Sequence, residues 1–346
     1  MFFLLLLLIP LNVLAVNSSA YSTVVMDLDS GRILYSDNKD EKRLIASVTK
    51  VLTALIVIEN NDLNKEVIVG EEILKMYGTN IYLEMGEKIK VKDLLYGLLL
   101  RSGNDASMTL AVNTSKTIDD FVNLMNYKAK DIGMKNSHFA NPHGLNDDTK
   151  NYSTAYDLAL LSKYAYKNST YRKITATKKY TISTGDKTYL WYNRNKLLTD
   201  YKYCTGGKNG YTPEAGKTLM TTASKDKLNL TIVTLKDSDP VNNHKNLYEY
   251  FYNVYKNYTI IDKNNFYIDR EFYNKELYLK ESFTYPLTKE ETEYISTKII
   301  IDNKKYSSNQ VGIINIYLKD KKIGTIKIYS KKEVKKKVSF FNLAIY

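Results

Sequence analysis

Between residues 46 and 59 the apolar side chains Val51, Leu52, Leu55, Ile56 and Ile58 recur at helical spacing, too densely for a helix with a solvated face. Such a helix has to be enclosed on every side. The chain supplies the enclosure in a fixed order. Upstream, TVVMDLDSGRILYSDN holds two alternating apolar runs around Asp29, Ser30 and Gly31, the turn chemistry of a β-hairpin. Downstream, helices are predicted over 91–100, 105–112, 118–132 and 154–166, with Thr154 and Asp157 placed like a capping box at the start of the last. Strand patterns return over 219–222 and 228–235, and 243–255 reads as a closing helix. Strands, then helices, then strands predict an α+β domain.

A chain of 346 residues has room for about two domains. Its character changes after Asp262, where KELYLKESFTYPL, STKIIIDNKKYSS, VGIINIYLKD and KKIGTIKIYS are short alternating segments between polar turns. They predict a second, all-β domain over 263–346. At the other end, Phe2 to Ile9 is an unbroken apolar run, extended to Ala15 and followed by Ser18, Ser19 and Ala20. This reads as a secretory signal peptide over 1–20, cleaved after Ala15 or Ala20, and predicts an exported protein of the cell wall or the outer face of the cytoplasmic membrane. It is shorter than the ~20 apolar residues of a spanning helix, so a permanent anchor is the weaker alternative. The usual basic start is missing, because no Lys or Arg precedes Arg32. The first domain is then expected over 21–262.

Fifty Lys and Arg against 38 Asp and Glu give a net charge of +12, which suits nucleic acid, an anionic bilayer or an acidic wall polymer alike. The lysines are scattered, and no nucleic-acid-binding signature is visible, so a nucleic-acid partner is not expected and a solvated basic surface is the plain reading. Lys331, Lys332, Lys335, Lys336 and Lys337 precede an apolar end over 338–346. That tail fits peripheral contact with an anionic bilayer or, equally, a last strand beside solvated lysines. A single cysteine, Cys204, rules out an internal disulfide, and three histidines leave little for a metal centre; neither metal nor cofactor is expected.

Three short motifs carry chemistry. In Ser47-Val48-Thr49-Lys50, the spacing puts hydroxyl and amine on one face of the helix start, so the amine can take the serine proton. It does so only when neutral, which needs desolvation or a nearby cation. Helix-start N–H groups favour a developing oxyanion. Alone, the motif also reads as an ordinary capped helix start. Ser102-Gly103-Asn104, between two apolar helical runs, can aim a hydroxyl as a proton relay and an amide at a peptide carbonyl; it also reads as a helix-breaking turn. Lys208-Asn209-Gly210 offers a cation for a substrate carboxylate and for keeping Lys50 neutral, and a glycine that lets a substrate backbone approach. Its alternative is a glycine-rich hairpin.

Together and in this order, the three resemble the Ser-x-x-Lys, Ser-x-Asn and Lys-Thr-Gly set of penicillin-recognising enzymes. More closely, the chain is similar to the low-molecular-mass penicillin-binding proteins, serine-type D-alanyl-D-alanine carboxypeptidases. The likeness runs through DSGRILYSDN, LIASVTKVLTAL, LLLRSGNDAS, HFANPHGLN, YSTAYDLA, NRNKLL and GYTPEAGKT, from about Tyr21 onward. It implies an α+β catalytic domain of the transpeptidase/β-lactamase kind followed by a small all-β domain. It implies Ser47 as the acylated nucleophile and Lys50 as its general base, with Ser102 and Asn104 relaying the proton and holding substrate. Lys208 would anchor the terminal carboxylate beside Asn209 and Gly210, and the N–H groups of Ser47 and Tyr211 would form the oxyanion hole. The implied reaction is attack on the penultimate D-alanine carbonyl of a peptidoglycan stem peptide, release of D-alanine and hydrolysis of the acyl-enzyme. β-Lactams would acylate the same serine.

Two residues depart from the pattern. Asn209 stands where the family has Thr, so an amide of different reach replaces a hydroxyl. Asn151 stands where a His often precedes the YSTAYDLA-like stretch. Asn209 favours one alternative, a catalytically impaired wall-binding or regulatory protein, while a D,D-endopeptidase keeps the same residues. A class A β-lactamase needs a carboxylate for deacylation, and no Glu occurs between Glu87 and Glu214. His138 and His143 do not share a helical face and read as loop residues, and Cys204 as a small buried hydrophobe.

Overall fold

The computed structural model describes residues 18–146, 150–185, 187–268, 276–301 and 309–331, and the backbone pairing of 342–345. The expected signal peptide up to residue 17 and the tail lysines beyond Lys331 lie outside these residues.

Strands β1 (Ala20–Asp27), β2 (Ile33–Asp37), β3 (Cys204–Thr212), β4 (Gly216–Lys225) and β5 (Leu228–Asp237) form one antiparallel sheet in the order β2-β1-β5-β4-β3. Apart from Tyr21, β1 is buried along its whole length, which requires cover on both faces. One cover is α8 (Pro240–Val254), whose Leu247, Tyr248, Phe251 and Tyr252 pack on Val25, Leu230 and Ile232. The other is a helical layer: α1 (Lys50–Asn60), α2 (Val91–Tyr96), α3 (Asn104–Ser115), α4 (Ile118–Ile132), α5 (Ala155–Tyr166) and α6 (Ser169–Thr175), with the short α7 (Leu197–Asp200) leading into β3. Within it α1 is enclosed as its composition requires, with every side chain from Lys50 to Val57 buried. Thr154 caps α5 by accepting the Asp157 N–H at 3.1 Å.

Two helices differ from expectation where they approach the site. The helix predicted from residue 46 begins as a 3-10 turn over Ala46–Thr49, and the one predicted over 91–100 changes to a π-helical turn over Gly97–Arg101. That turn ends at Ser102, whose φ of 70° is left-handed. A hairpin of Lys179–Thr184 and Lys187–Tyr192 flanks the helical layer and has no counterpart in the sequence reading.

The second domain is all β. β6 (Lys256–Ile261) pairs with β8 (Phe283–Leu287), so this pairing starts before the expected boundary at Asp262. β7 (Leu277–Leu279), β9 (Ile295–Ile301), β10 (Gln310–Leu318), β11 (Lys321–Ser330) and β12 (Asn342–Ile345) form a sheet in the order β7-β11-β10-β9-β12 around Val311, Ile314, Ile316, Ile326 and Ile328. Part of the apolar tail is therefore a strand. Among the described residues, no helix is long and apolar enough to cross a membrane.

Candidate active site

Ser47 lies in the 3-10 turn and Lys50 is the first residue of α1, so the enclosed helix carries both. Lys50 is fully buried, with Nζ 3.2 Å from Ser47 Oγ. The amine donates to Asn104 Oδ1 at 2.7 Å and to the backbone carbonyl of His143 at 2.6 Å. The Asn104 amide cannot be turned round, because its Nδ2 donates to the Tyr77 carbonyl at 2.7 Å. A neutral amine has two N–H groups and one lone pair. Both N–H groups meet acceptors that cannot donate, which leaves the lone pair for the Ser47 hydroxyl proton.

The electrostatics favour that neutral form. Burial drives the Lys50 pKa well below that of a free lysine, the Lys208 charge pushes the same way, and Asp105 opposes both. Burial and then Arg194 bring Lys208 itself down to about 7. His143 falls to about 3, through burial and then the Lys50 charge, so its ring is neutral.

β3 forms the opposite wall. It is the edge of the five-stranded sheet, and Lys208 on it is buried with Nζ donating to the Asn209 carbonyl at 2.7 Å. Gly210 brings the strand against the Ser47 turn: a Cβ there would sit 2.8 Å from Ser47 N and 2.6 Å from Thr218 Oγ1. Asn209, Gly210 and Tyr211 together, with Arg194, Thr218 and Val241, line a cavity of about 170 Å³. The structure thus brings Ser47, Lys50, Asn104 and Gly210 into direct contact and sets Lys208 close enough to act through its charge. Among the described residues the Ser102 hydroxyl is buried without a hydrogen-bond partner, and Tyr211 is largely exposed. The His143 carbonyl is the contact that reading side-chain motifs missed, since a backbone oxygen leaves no mark on residue type.

The sequence model of the D-alanyl-D-alanine carboxypeptidase family matches residues 11–239, and that of the penicillin-binding protein 5 C-terminal domain matches 248–336. The chain is 37% identical over 227 residues to D-alanyl-D-alanine carboxypeptidase DacF of Bacillus subtilis, covering 64% of this chain and 58% of that protein. It is 34% identical over 225 residues to the D-alanyl-D-alanine carboxypeptidase of Streptomyces sp. (strain K15), covering 60% and 77%. Its fold is similar to the crystal structure of D-alanyl-D-alanine carboxypeptidase DacD from Francisella tularensis, with a TM-score of 0.72 and 25% identity over 93% of this chain and 95% of that one. A serine and a buried lysine in contact at the start of an enclosed helix, beside a glycine-bearing edge strand, therefore stand in a chain that belongs to the D-alanyl-D-alanine carboxypeptidase family of low-molecular-mass penicillin-binding proteins.

Proposed function

We propose that this chain is a serine-type D-alanyl-D-alanine carboxypeptidase that removes the terminal D-alanine of peptidoglycan stem peptides. The observation that carries the reading is the contact set of Lys50, which leaves a neutral amine its lone pair for Ser47. As Ser47 Oγ attacks the penultimate D-alanine carbonyl, its proton passes to Lys50 Nζ, and the N–H groups of Ser47 and Tyr211 hold the oxyanion. Collapse breaks the peptide bond; the departing amine takes the proton by way of Ser102, and free D-alanine leaves. Asn104 holds the substrate amide and Lys208 its terminal carboxylate. Water then adds to the ester, its proton passing to Lys50 and on to Ser47 as the acid product departs. β-Lactams acylate Ser47 by ring opening in place of the first step.

The same proposal places the protein outside the cytoplasm, in the wall or on the outer face of the cytoplasmic membrane. It gives the basic tail peripheral contact with anionic lipid and gives nucleic acid no part. Residues 21–262 form the catalytic unit, and 263–346 contribute none of the described contacts of Lys50 or Ser47. Fluorescent penicillin should label Ser47, and D-alanine should be released from a D-Ala-D-Ala peptide. Labelling that survives Ser47→Ala would sink the assignment, and a chain ending at Asp262 that folds yet fails to label would sink the division.

A second reading rests on Asn209, which lines the same cavity as Gly210 and Tyr211. It makes the protein a penicillin-binding regulatory or wall-binding protein with slow turnover. Penicillin labelling at full stoichiometry without D-alanine release separates it from the first.

A further inference from the structure

Asn151, the second departure from the family pattern, is fully buried and both ends of its amide are engaged. Its Oδ1 accepts the backbone N–H groups of Ala140 at 2.7 Å and Asn141 at 3.1 Å. Its Nδ2 donates to the Thr49 hydroxyl at 3.0 Å and to the Asn141 carbonyl at 2.9 Å. Thr49 lies in the chain between Ser47 and Lys50, and the 140–145 segment carries the His143 carbonyl that accepts from Lys50. One side chain therefore ties the turn that holds the nucleophile to the loop that caps the base.

The loop is pinned from other sides as well. Asn141 Oδ1 accepts the Gly144 N–H at 2.6 Å, and the Pro142 carbonyl accepts the hydroxyls of Thr53 and Ser107, both at 2.7 Å. Gly144 has a φ of +92°, and a Cβ there would fall 2.1 Å from the Ala46 carbonyl oxygen, so the loop backbone lies directly on the Ser47 turn.

We propose that Asn151 is a positioning residue for Lys50: by fixing the His143 carbonyl relative to Thr49, it keeps one amine N–H engaged and the lone pair on Ser47. This rests on the reading of Lys50 as the base. An amide suits the place because it offers two donors and two acceptor sites without a charge. A carboxylate would lose both donors, and a neutral imidazole keeps one of each. The titratable groups facing Lys50 are Lys208 from β3, Asp105 from α3 and His143 from the loop. Asn151 adds no charge to that set, so it acts through geometry.

The test is the acylation of the full chain by fluorescent penicillin, with the rate taken per site that finally labels. Asn151→Ala should slow acylation roughly 10- to 100-fold while the non-covalent dissociation constant stays within about two-fold. The acid limb of its pH–rate profile should move to higher pH, as water entering the vacated space solvates the ammonium. Asn151→His should recover part of the rate. Thr49→Val, which removes only the hydroxyl, should give a smaller fall of the same kind and decides the matter should Asn151→Ala fail to fold. Parent rates per labelled site in both Asn151→Ala and Thr49→Val overturn the inference, as does a loss confined to the number of sites that label. Lys50→Ala serves as the control: acylation at the parent rate there would sink the catalytic reading itself rather than this one.

Discussion

Arg32 and Glu291 join the two domains through a two-pronged ion pair, with Nη1 donating to Oε2 at 3.0 Å and Nη2 to Oε1. The guanidinium also donates to the Pro286 carbonyl and lies 5.3 Å from the ring centres of both Tyr255 and Tyr285. Arg32 comes from the turn between β1 and β2, and Glu291 from a 3-10 turn after β8. A double-mutant cycle with Arg32→Ala and Glu291→Ala is expected to give a coupling of about 1–2 kcal/mol. Small-angle scattering of Arg32→Ala should show a wider spread of domain separations with penicillin acylation unchanged. An unaltered scattering curve would mean that other contacts hold the domains.

Lys208 should govern the pH dependence of acylation. Its cation helps to keep Lys50 unprotonated, so Lys208→Met, which retains the length without the charge, raises the Lys50 pKa. At a given pH less neutral amine is then available, and the acid limb of the penicillin acylation profile moves to higher pH. A limb that stays put would show that burial alone sets the Lys50 protonation state.

Gly210→Ala should cost the chemistry far more than the fold. The added methyl meets Ser47 N and Thr218 Oγ1, and relief requires the edge strand to back away from the nucleophile. Overpacking of this kind destabilises by about 1–3 kcal/mol, whereas loss of alignment is expected to slow acylation by roughly 100-fold. Melting and labelling measured on the same preparation separate the two, and a parent labelling rate would rule the argument out.

His244 is expected to make the protein acid-labile. It is fully buried between the sheet and α8, with Thr221 Oγ1 2.8 Å from Nδ1 and Thr234 Oγ1 3.0 Å from Nε2. Burial brings its pKa down to about 3, whereas an unfolded histidine takes a proton near pH ~6.5. The stability it contributes is complete above that higher value and is lost as pH falls toward the lower one, by about 1.4 kcal/mol per pH unit. Urea midpoints should therefore fall from pH 7 to pH 4, and His244→Gln should flatten the slope. His143, shifted the same way, adds to the slope, as does Lys50 for as long as its amine stays neutral in the folded chain. Parallel slopes in the two chains would remove His244 from the account.

Asn209→Thr is expected to raise D-Ala-D-Ala peptide turnover more than penicillin acylation. A strained lactam ring depends less on carboxylate positioning than an unstrained peptide does. Equal kinetics in the two chains, or a fall with Thr, would show the amide to be an adapted substitute.

Much of this architecture could be read from side-chain pattern. The 118–132 helix emerged with its predicted bounds because its apolar positions recur cleanly, and Thr154 caps α5 where its side chain announced it. β3 was legible only as part of a glycine-rich hairpin: CTGGKNGYT lacks β-branched runs and is a nine-residue strand because β4 pairs with it from Gly216 to Ala223. Ser47 and Lys50 meet across a 3-10 turn as they would across an α-helix, since both bring residues three apart together, so the motif gave the contact without the geometry. The π-helical turn before Ser102 and the hairpin of Lys179–Thr184 and Lys187–Tyr192 are set by tertiary packing, which no local pattern records.

The outer edge of β3, which no strand among the described residues pairs, bears on how this protein behaves in a crowd. An exposed strand edge templates the addition of strands from other chains, but Gly206, Gly207 and Gly210 of this one are buried, and a Cβ on Gly206 would fall 2.4 Å from Thr175 Oγ1 at the end of α6. Its guard is the nucleophile turn, standing so close that a methyl on Gly210 would strike Ser47 N. An edge covered in this way is closed to another sheet. The turn that carries the proposed nucleophile thus also covers the edge beside it, and variants that draw the Ser47 turn back should lose solubility along with penicillin labelling.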